Sequence, residues 1–310
     1  MACQSGYSSR GVHSMRPRCS RPATHSRLPW HRASAVALPP AYPAPLPAVD
    51  AVALESTYGD RQHPQDPPGH DIEALFRPVL ERRGTILVPS FAVARAQLVT
   101  VVLRDLISSG RLPEVPIHID SPMALDVLDS YNRYLGGEDL DEQIPGASAR
   151  SLFPRNVQFH RTPDDSKALN DLSGPRIIIS ASGMLTGGRI LHHLKRLAPD
   201  SANLICLVGY QAAGTRGRKL MDGASTIRIH GWDVPVRAKV GSIEGFSAHA
   251  DSDGLYRWAT SSGVPSDIFL VHGEPEATAA MAQRFRGQGV RIHRPEIGDE
   301  YAFNDGWRRA

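Results

Sequence analysis

From Asp50 onward, apolar runs and amphipathic runs alternate along the chain. AVALEST (51–57) is apolar and closed by polar residues, the mark of a strand end. DIEALFRPVLERR (71–83) sets Ile72, Leu75, Val79 and Leu80 at helical spacing, and GTILVPS (84–90) has the unbroken apolar character of a buried strand. FAVARAQLVTVVLRDLISSG (91–110) predicts a long helix stopped at Gly110. Strand VPIHIDS (115–121) and helix MALDVLDSYNRYL (123–135) follow, then a polar stretch, 136–172, with little pattern. The order resumes as strand RIIISAS (176–182), helix GRILHHLKRLA (188–198), strand NLICLVGY (203–210) and a β-rich section over 225–243. Helix 252–263, strand 267–273, helix 276–289 and strand 290–295 complete it. Such alternation predicts an α/β fold with buried, largely parallel strands. Ligands of these sheets bind at the loops leaving the carboxyl ends of the strands. Glu55, Asp120, Ser182, Gly209 and His272 fall at such ends.

Residues 1–49 follow none of this. They contain no Asp or Glu, six arginines, three histidines (His13, His25, His31) and a proline run, with no helical or strand period. A segment so poor in buriable apolar surface cannot offset the entropy of ordering it. Three readings stay open: a disordered basic tail, a transit peptide (whose amphipathic helix the prolines oppose), or a non-native frame from a truncated or shifted gene.

The composition is that of an ordinary globular chain, 41% hydrophobic and 22% charged over 310 residues. A net charge of +3 decides nothing about nucleic acid, so local clustering must. No apolar run has the length of a membrane span. Cys3, Cys19 and Cys206 make no disulfide framework or CxxC pair, which fits a reducing cytoplasm. Cys206 reads as a small buried strand residue.

The candidate chemistry lies in Glu55 of LESTYGDR, His249 of FSAHAD and His272 of LVHGE. Neutral imidazole is a common zinc ligand, and a carboxylate is its usual orienting partner. The blander alternative is that each histidine merely hydrogen-bonds a loop.

ESTYGDR, FSAHAD and LVHGE, in that order, resemble the three signature motifs of the β-CASP subgroup of the metallo-β-lactamase fold, whose members are RNA- and DNA-processing hydrolases. ILVPSFAVARAQ, IHIDSPMA, SASGMLTGGRILHHL and GYQAAGTRGR are similar to the cassette of its bacterial and archaeal members, and the likeness runs from about residue 43 onward. The resemblance implies a parallel-sheet α/β β-CASP cassette over 61–240. It would be inserted in a metallo-β-lactamase-type αββα sandwich, of which only the C-terminal part, 49–60 and 241–310, is present. Residues 1–48 would be a disordered or non-native tail.

By the same resemblance Glu55 is the acid that positions His249, His249 is the general acid, and His272 is a zinc ligand. Asp251 either orients His249 or, more simply, caps the helix beginning at Ser252. Glu274 reads as a first-turn helix residue. The family site implies two zinc ions held mainly by an HxHxDH loop ahead of the ESTYG strand, and no such loop occurs in residues 1–50. The expectation is therefore a chain with an interrupted 5′ coding end and an incomplete metal site, weakly active or inactive by itself. A true pseudoenzyme is the alternative.

Between Arg176 and Lys219 stand seven basic residues against one acid, Asp200, an asymmetry suited to a phosphate backbone. Ser182, Thr186, Gly187, Gly188 and Arg189, before the 188–198 helix, offer an anion site at a helix start. Arg216 and Arg218 sit in a second Gly/Arg loop. The alternatives are a solvated helix face for the basic residues and tight turns for the glycines. GYQAAGTR lacks the Lys and Ser/Thr of a nucleotide P-loop.

The leading reading is a zinc-dependent hydrolase of RNA phosphodiesters. The runner-up is a non-catalytic RNA-binding or scaffold subunit, and a hydrolase of small esters ranks third. The expected partner is single-stranded RNA, with no membrane and with a homodimer left open.

Overall fold

The computed structural model describes residues 44–66, 68–127, 154–303 and 307–309. β1 (Ala51–Glu55) pairs in parallel with β10 (Asp267–Val271), which pairs in parallel with β11 (Arg291–His293). Between β1 and β10 the chain builds a separate six-stranded sheet. Its strands are β2 (Thr85–Pro89), β3 (Ile117–Asp120), β4 (Val157–Phe159), β5 (Arg176–Ser180), β6 (Leu204–Val208) and β9 (Lys239–Ile243). All run parallel, in the order β4-β3-β5-β2-β6-β9. β7 (Thr226–Ile229) with β8 (Trp232–Pro235), and β12 (Tyr301–Phe303) with β13 (Trp307–Arg309), are antiparallel hairpins.

The pleat explains why the central strands are apolar throughout, since successive residues serve opposite faces. Ile86 and Val88 of β2 and Ile177 and Ile179 of β5 point to one face. They pack there on α1 (Pro68–Glu81) and α2 (Arg95–Ser108). Leu87 and Ile178 point to the other, against α4 (Ile190–Leu197), Leu220 of α5 (Arg216–Met221) and the β7–β8 hairpin. Ile72 and Phe76 on the inner stripe of α1 are fully buried, each worth about 1.5–3 kcal/mol on burial. Cys206 is buried in β6, as its setting predicts, and burial holds its thiol well above the usual range. A third core joins β1 and β10 to α6 (Ser252–Ala259) and α7 (Pro275–Arg284) through Val52, Leu54, Leu255, Ile268, Met281 and Phe285.

The α/β class and the parallel strands agree with the sequence pattern. Differences lie where the pattern is weak. The stretch 136–172 contains β4 and a short helix, α3 (Pro163–Ala168), started by a capping box. In it Thr162 Oγ1 accepts from Asp165 N–H (3.1 Å) and Asp165 Oδ2 accepts from Thr162 N–H (3.0 Å). The second Gly/Arg loop is the first turn of α5, capped by Thr215, whose Oγ1 accepts from Arg218 N–H at 3.2 Å. β9 pairs with β6 as the last strand of the six-stranded sheet.

Residues 1–43 of the tail, with His13, His25 and His31, and 128–135 of the predicted 123–135 helix lie outside the described residues. The tail's last part, 44–48, is placed: Leu46 packs on the third core, and Ala44 O accepts from Trp258 Nε1 at 3.0 Å. No described helix is long and apolar enough to cross a membrane.

Candidate active site

The pairing of β1 with β10 creates the site. Glu55 lies in register with Val271, so Glu55 and His272 leave adjacent parallel strands side by side. One further rung, Ser56 N–H to Val271 O at 2.9 Å, extends the ladder past Glu55. His272 turns out with φ +57°, a left-handed conformation uncommon for a residue with a side chain. The next residue must be glycine, because a Cβ on Gly273 would stand 2.3 Å from Ser56 Oγ and 2.7 Å from Ser56 O.

Hydrogen bonds fix each group. Glu55 Oε2 accepts from Thr57 N–H at 2.7 Å, leaving Oε1 3.4 Å from His249 Nδ1. Thr57 Oγ1 donates its single proton to His272 O at 2.8 Å and so accepts from His272 Nδ1–H at 3.0 Å. That assigns the His272 tautomer and leaves its Nε2 lone pair free, the usual arrangement of a metal-directed histidine. The His249 and His272 rings stack with centroids 5.5 Å apart. His63 Nε2–H donates to His249 O at 2.8 Å, and Asp251 Oδ2 accepts from His63 N–H at 3.3 Å. The buried Tyr58 ring lies 6.1 Å from His249 and 5.9 Å from Tyr210, centroid to centroid.

Glu55, His249 and His272 are the one group of three or more potential ligands among the described residues, with donor atoms within 4.8 Å of one another. Tetrahedral zinc with bonds of about 2.0–2.1 Å holds its ligands about 3.4 Å apart, a spacing that the Glu55 Oε1–His249 Nδ1 pair already has. Glu55 Oε2 is taken by Thr57 N–H, which leaves Oε1 as the oxygen that faces His249. A pair of zinc ions, each taking three or four protein ligands, does not fit these three donors. They do fit a carboxylate–imidazole pair beside a single metal-facing histidine.

The other sequence candidates behave differently. Asp251 is the N-cap of α6, its Oδ1 accepting from Gly254 N–H at 2.7 Å. Glu274 is not a first-turn residue: it occupies the N-cap position of α7 without capping it. Its Oε1 instead accepts from Ala213 N–H at 2.8 Å, and Arg218 lies 3.6 Å away. The Tyr210 hydroxyl donates to the same carboxylate and, with that N–H, holds it below the usual range.

Of the proposed phosphate loop, Ser182 Oγ and Thr186 Oγ1 pair at 2.9 Å and Gly187 faces open space. Gly188 (φ +82°) could not take a Cβ, which would meet Ala181 O at 2.9 Å. The three arginines read as phosphate contacts have protein partners. Arg189 donates to Asp120 Oδ1 (2.8 Å), His160 O (3.1 Å) and Arg161 O (2.8 Å). Arg216 donates to Arg228 O at 2.7 Å and to Leu185 O at 3.1 Å, and Arg218 to Asp222 at 3.0 Å. These guanidinium groups hold the loops together. Thr57, Tyr58 and His63 were missed as site residues, although Thr57 and Tyr58 stand inside the ESTYG motif.

Residues 96–220 match the Beta-Casp domain model, and residues 233–295 match that of the Zn-dependent metallo-hydrolase RNA specificity domain. Ribonuclease TTHA0252 of Thermus thermophilus is 39% identical over 256 residues, which is 81% of this chain and 58% of that protein. Transcription termination factor FttA of Pyrococcus abyssi is 33% identical over 250 residues, 77% of this chain and 38% of that one. An RNase J-like protein of Methanocaldococcus jannaschii is 34% identical over 231 residues, 73% and 52%. The chain thus spans between 38% and 58% of the length of these relatives.

Proposed function

The chain belongs to the β-CASP family of metallo-β-lactamase-fold proteins, and on that premise we propose that it acts in RNA processing, its Glu55–His249–His272 site serving RNA phosphodiester hydrolysis. The observation that carries this reading is the convergence of those three side chains at the ends of adjacent strands. Phosphodiester cleavage needs a proton delivered to the leaving oxygen, and histidine is suited to that at neutral pH. Glu55 faces His249 Nδ1, so the transferable proton is the one on Nε2, and the carboxylate stabilises the imidazolium that carries it. Zinc is the metal this reading calls for, and His272 Nε2 is the donor offered to it. Activation of the attacking water is assigned to no described residue. The compartment proposed is the cytoplasm, on cysteine usage.

Among the described residues the metal donors are three, Glu55, His249 and His272, and that favours a second reading, an RNA-binding subunit that does not cleave. One assay separates the two: a short 5′-labelled single-stranded RNA, incubated with the chain and zinc, is followed for binding and for fragments. Fragments that disappear in His249→Ala support hydrolysis. RNA bound and left intact supports the second reading. No salt-sensitive RNA binding at all contradicts both.

A further inference from the structure

Arg95 is the first residue of α2, following Ala94, which turns the chain at φ +62° and gives the helix no side-chain cap. The residue is only 9% exposed. Its Nε and Nη1 are sealed from solvent without a hydrogen-bond partner among the described residues. Arg176 shares an orphaned Nε but still donates from Nη1 to Gly174 O at 3.0 Å, and Arg189 is anchored on Asp120; Arg95 is left with two sealed nitrogens and no partner among the described residues. A guanidinium does not shed its charge in a protein. Burying one without an acceptor is unfavourable, and an unseen water or ion is one recognised partner of such a group.

The surroundings point to an anion. Arg95 lies where β2 and β6, neighbours in the sheet, release their loops, the edge at which parallel sheets bind ligands. Gly209, just after β6 and at φ +95°, presents a bare Cα to the guanidinium; a Cβ there would touch Cζ at 3.7 Å and Nη2 at 3.8 Å. The charged form of Arg95 is disfavoured chiefly by burial and favoured by Tyr58, and among the described residues no carboxylate bonds to it. Tyr58 also packs on His249, which ties this position to the site above. The uncapped start of a 14-residue helix adds positive potential at the same point.

We propose that Arg95 receives a phosphate group of the bound strand, its guanidinium supplying the charge beside Gly209. The strand's identity as RNA rests on the function proposed above; the affinity for phosphate does not. The geometry makes Arg95 a binding residue whose empty state is under tension, unlike Arg189, Arg216 and Arg218, which are occupied by the protein.

The test compares wild type with Arg95→Met, which keeps the aliphatic stem and removes the charge, and with Arg95→Lys, which keeps the charge and loses the fork. Binding of a labelled single-stranded RNA is measured across a salt series, and melting is measured with inorganic phosphate or with chloride at equal ionic strength. Arg95→Met is expected to bind RNA about tenfold more weakly, with a salt slope shallower by about 1. It should melt no lower than wild type and lose the phosphate-induced rise in Tm. Arg95→Lys should fall between, and it decides the matter if the methionine variant does not fold. RNA affinity, slope and phosphate response all unchanged in both variants would overturn the proposal, as would a lower Tm with binding intact. If wild type binds no RNA yet gains an Arg95-dependent rise in Tm with phosphate, the Arg95 site stands and the RNA reading falls. If neither ligand acts on wild type, the Arg95 site falls as well.

Discussion

Asp120→Ala is expected to remove about 3–5 kcal/mol of folding stability, the usual consequence of deleting one partner from a buried charged network. Asp120 ends β3 with no exposed surface. Its Oδ2 accepts from Ser166 Oγ at 2.6 Å and His193 Nε2 at 2.7 Å, and its Oδ1 from Arg189 Nη1 at 2.8 Å. Its main-chain oxygen accepts from Ser180 Oγ at 2.7 Å, which ties β3 to β5. One carboxylate therefore holds α3, α4 and the loop before α4 to the edge of the sheet. Alanine would strand a fully buried imidazole and a largely buried guanidinium. Against a typical total of about 5–15 kcal/mol, that is a large fraction, read directly as a fall in the urea midpoint.

The same network sets an acid dependence. Burial pushes the Asp120 pKa up, but hydrogen bonds from His193, Ser166 and Arg189 outweigh it, and the net shift is downward. A carboxyl with a depressed folded pKa contributes stability above its unfolded value, about 3.9, and loses it as pH falls through the folded value. The stability gap between wild type and Asp120→Asn should therefore narrow on acidification from neutral pH to below that range. A gap unchanged by acid would remove Asp120 from the role given it.

The second large effect falls on chemistry. If the chain hydrolyses RNA as proposed above, His249→Ala is expected to lower cleavage about 10²–10⁴-fold, the range a positioned general acid contributes, with RNA affinity unchanged. Glu55→Gln should reproduce much of that loss for a different reason. An amide at this position can still accept from Thr57 N–H, but its NH2 would face His249 Nδ1 and reverse the imidazole tautomer. The charge that stabilises the imidazolium would be gone as well. Initial rates and Kd measured on the same RNA check both variants; a fall in affinity that accounts for the fall in rate would point to binding instead.

Much of this was legible in the sequence because the strands are buried on both faces. Continuous apolar runs such as TILV, RIII and LICLV could be little else, and their ends marked Glu55, Asp120, Gly209 and His272 before any contact was known. What escaped depends on partners far along the chain. Glu274 is an ordinary helix-start residue until Ala213 and Arg218 arrive beside it. Arg216 and Arg218 read as phosphate-contact candidates because sequence shows charge and not partners; in the structure each also holds a protein acceptor. Arg95 was hidden for the opposite reason: inside a helical run it reads as a surface arginine, and only its lack of a partner distinguishes it. The short helix at 163–168 had a readable start in TPDD, but at six residues it carries too little periodicity to stand out.

The central claim is a division of labour: Glu55 and His249 form an acid pair, and His272 is the metal-facing donor. It is tested most directly by following the imidazole ¹⁵N resonances of the whole chain during a zinc titration. The account predicts His249 with its proton on Nδ1 in the neutral form and no coordination shift at either of its nitrogens. His272 Nε2 should shift as zinc is added, and it should do so equally in Glu55→Gln. Simultaneous coordination shifts of His249 and His272 at one equivalent of zinc, abolished by Glu55→Gln, would contradict it and make the three residues a single metal site.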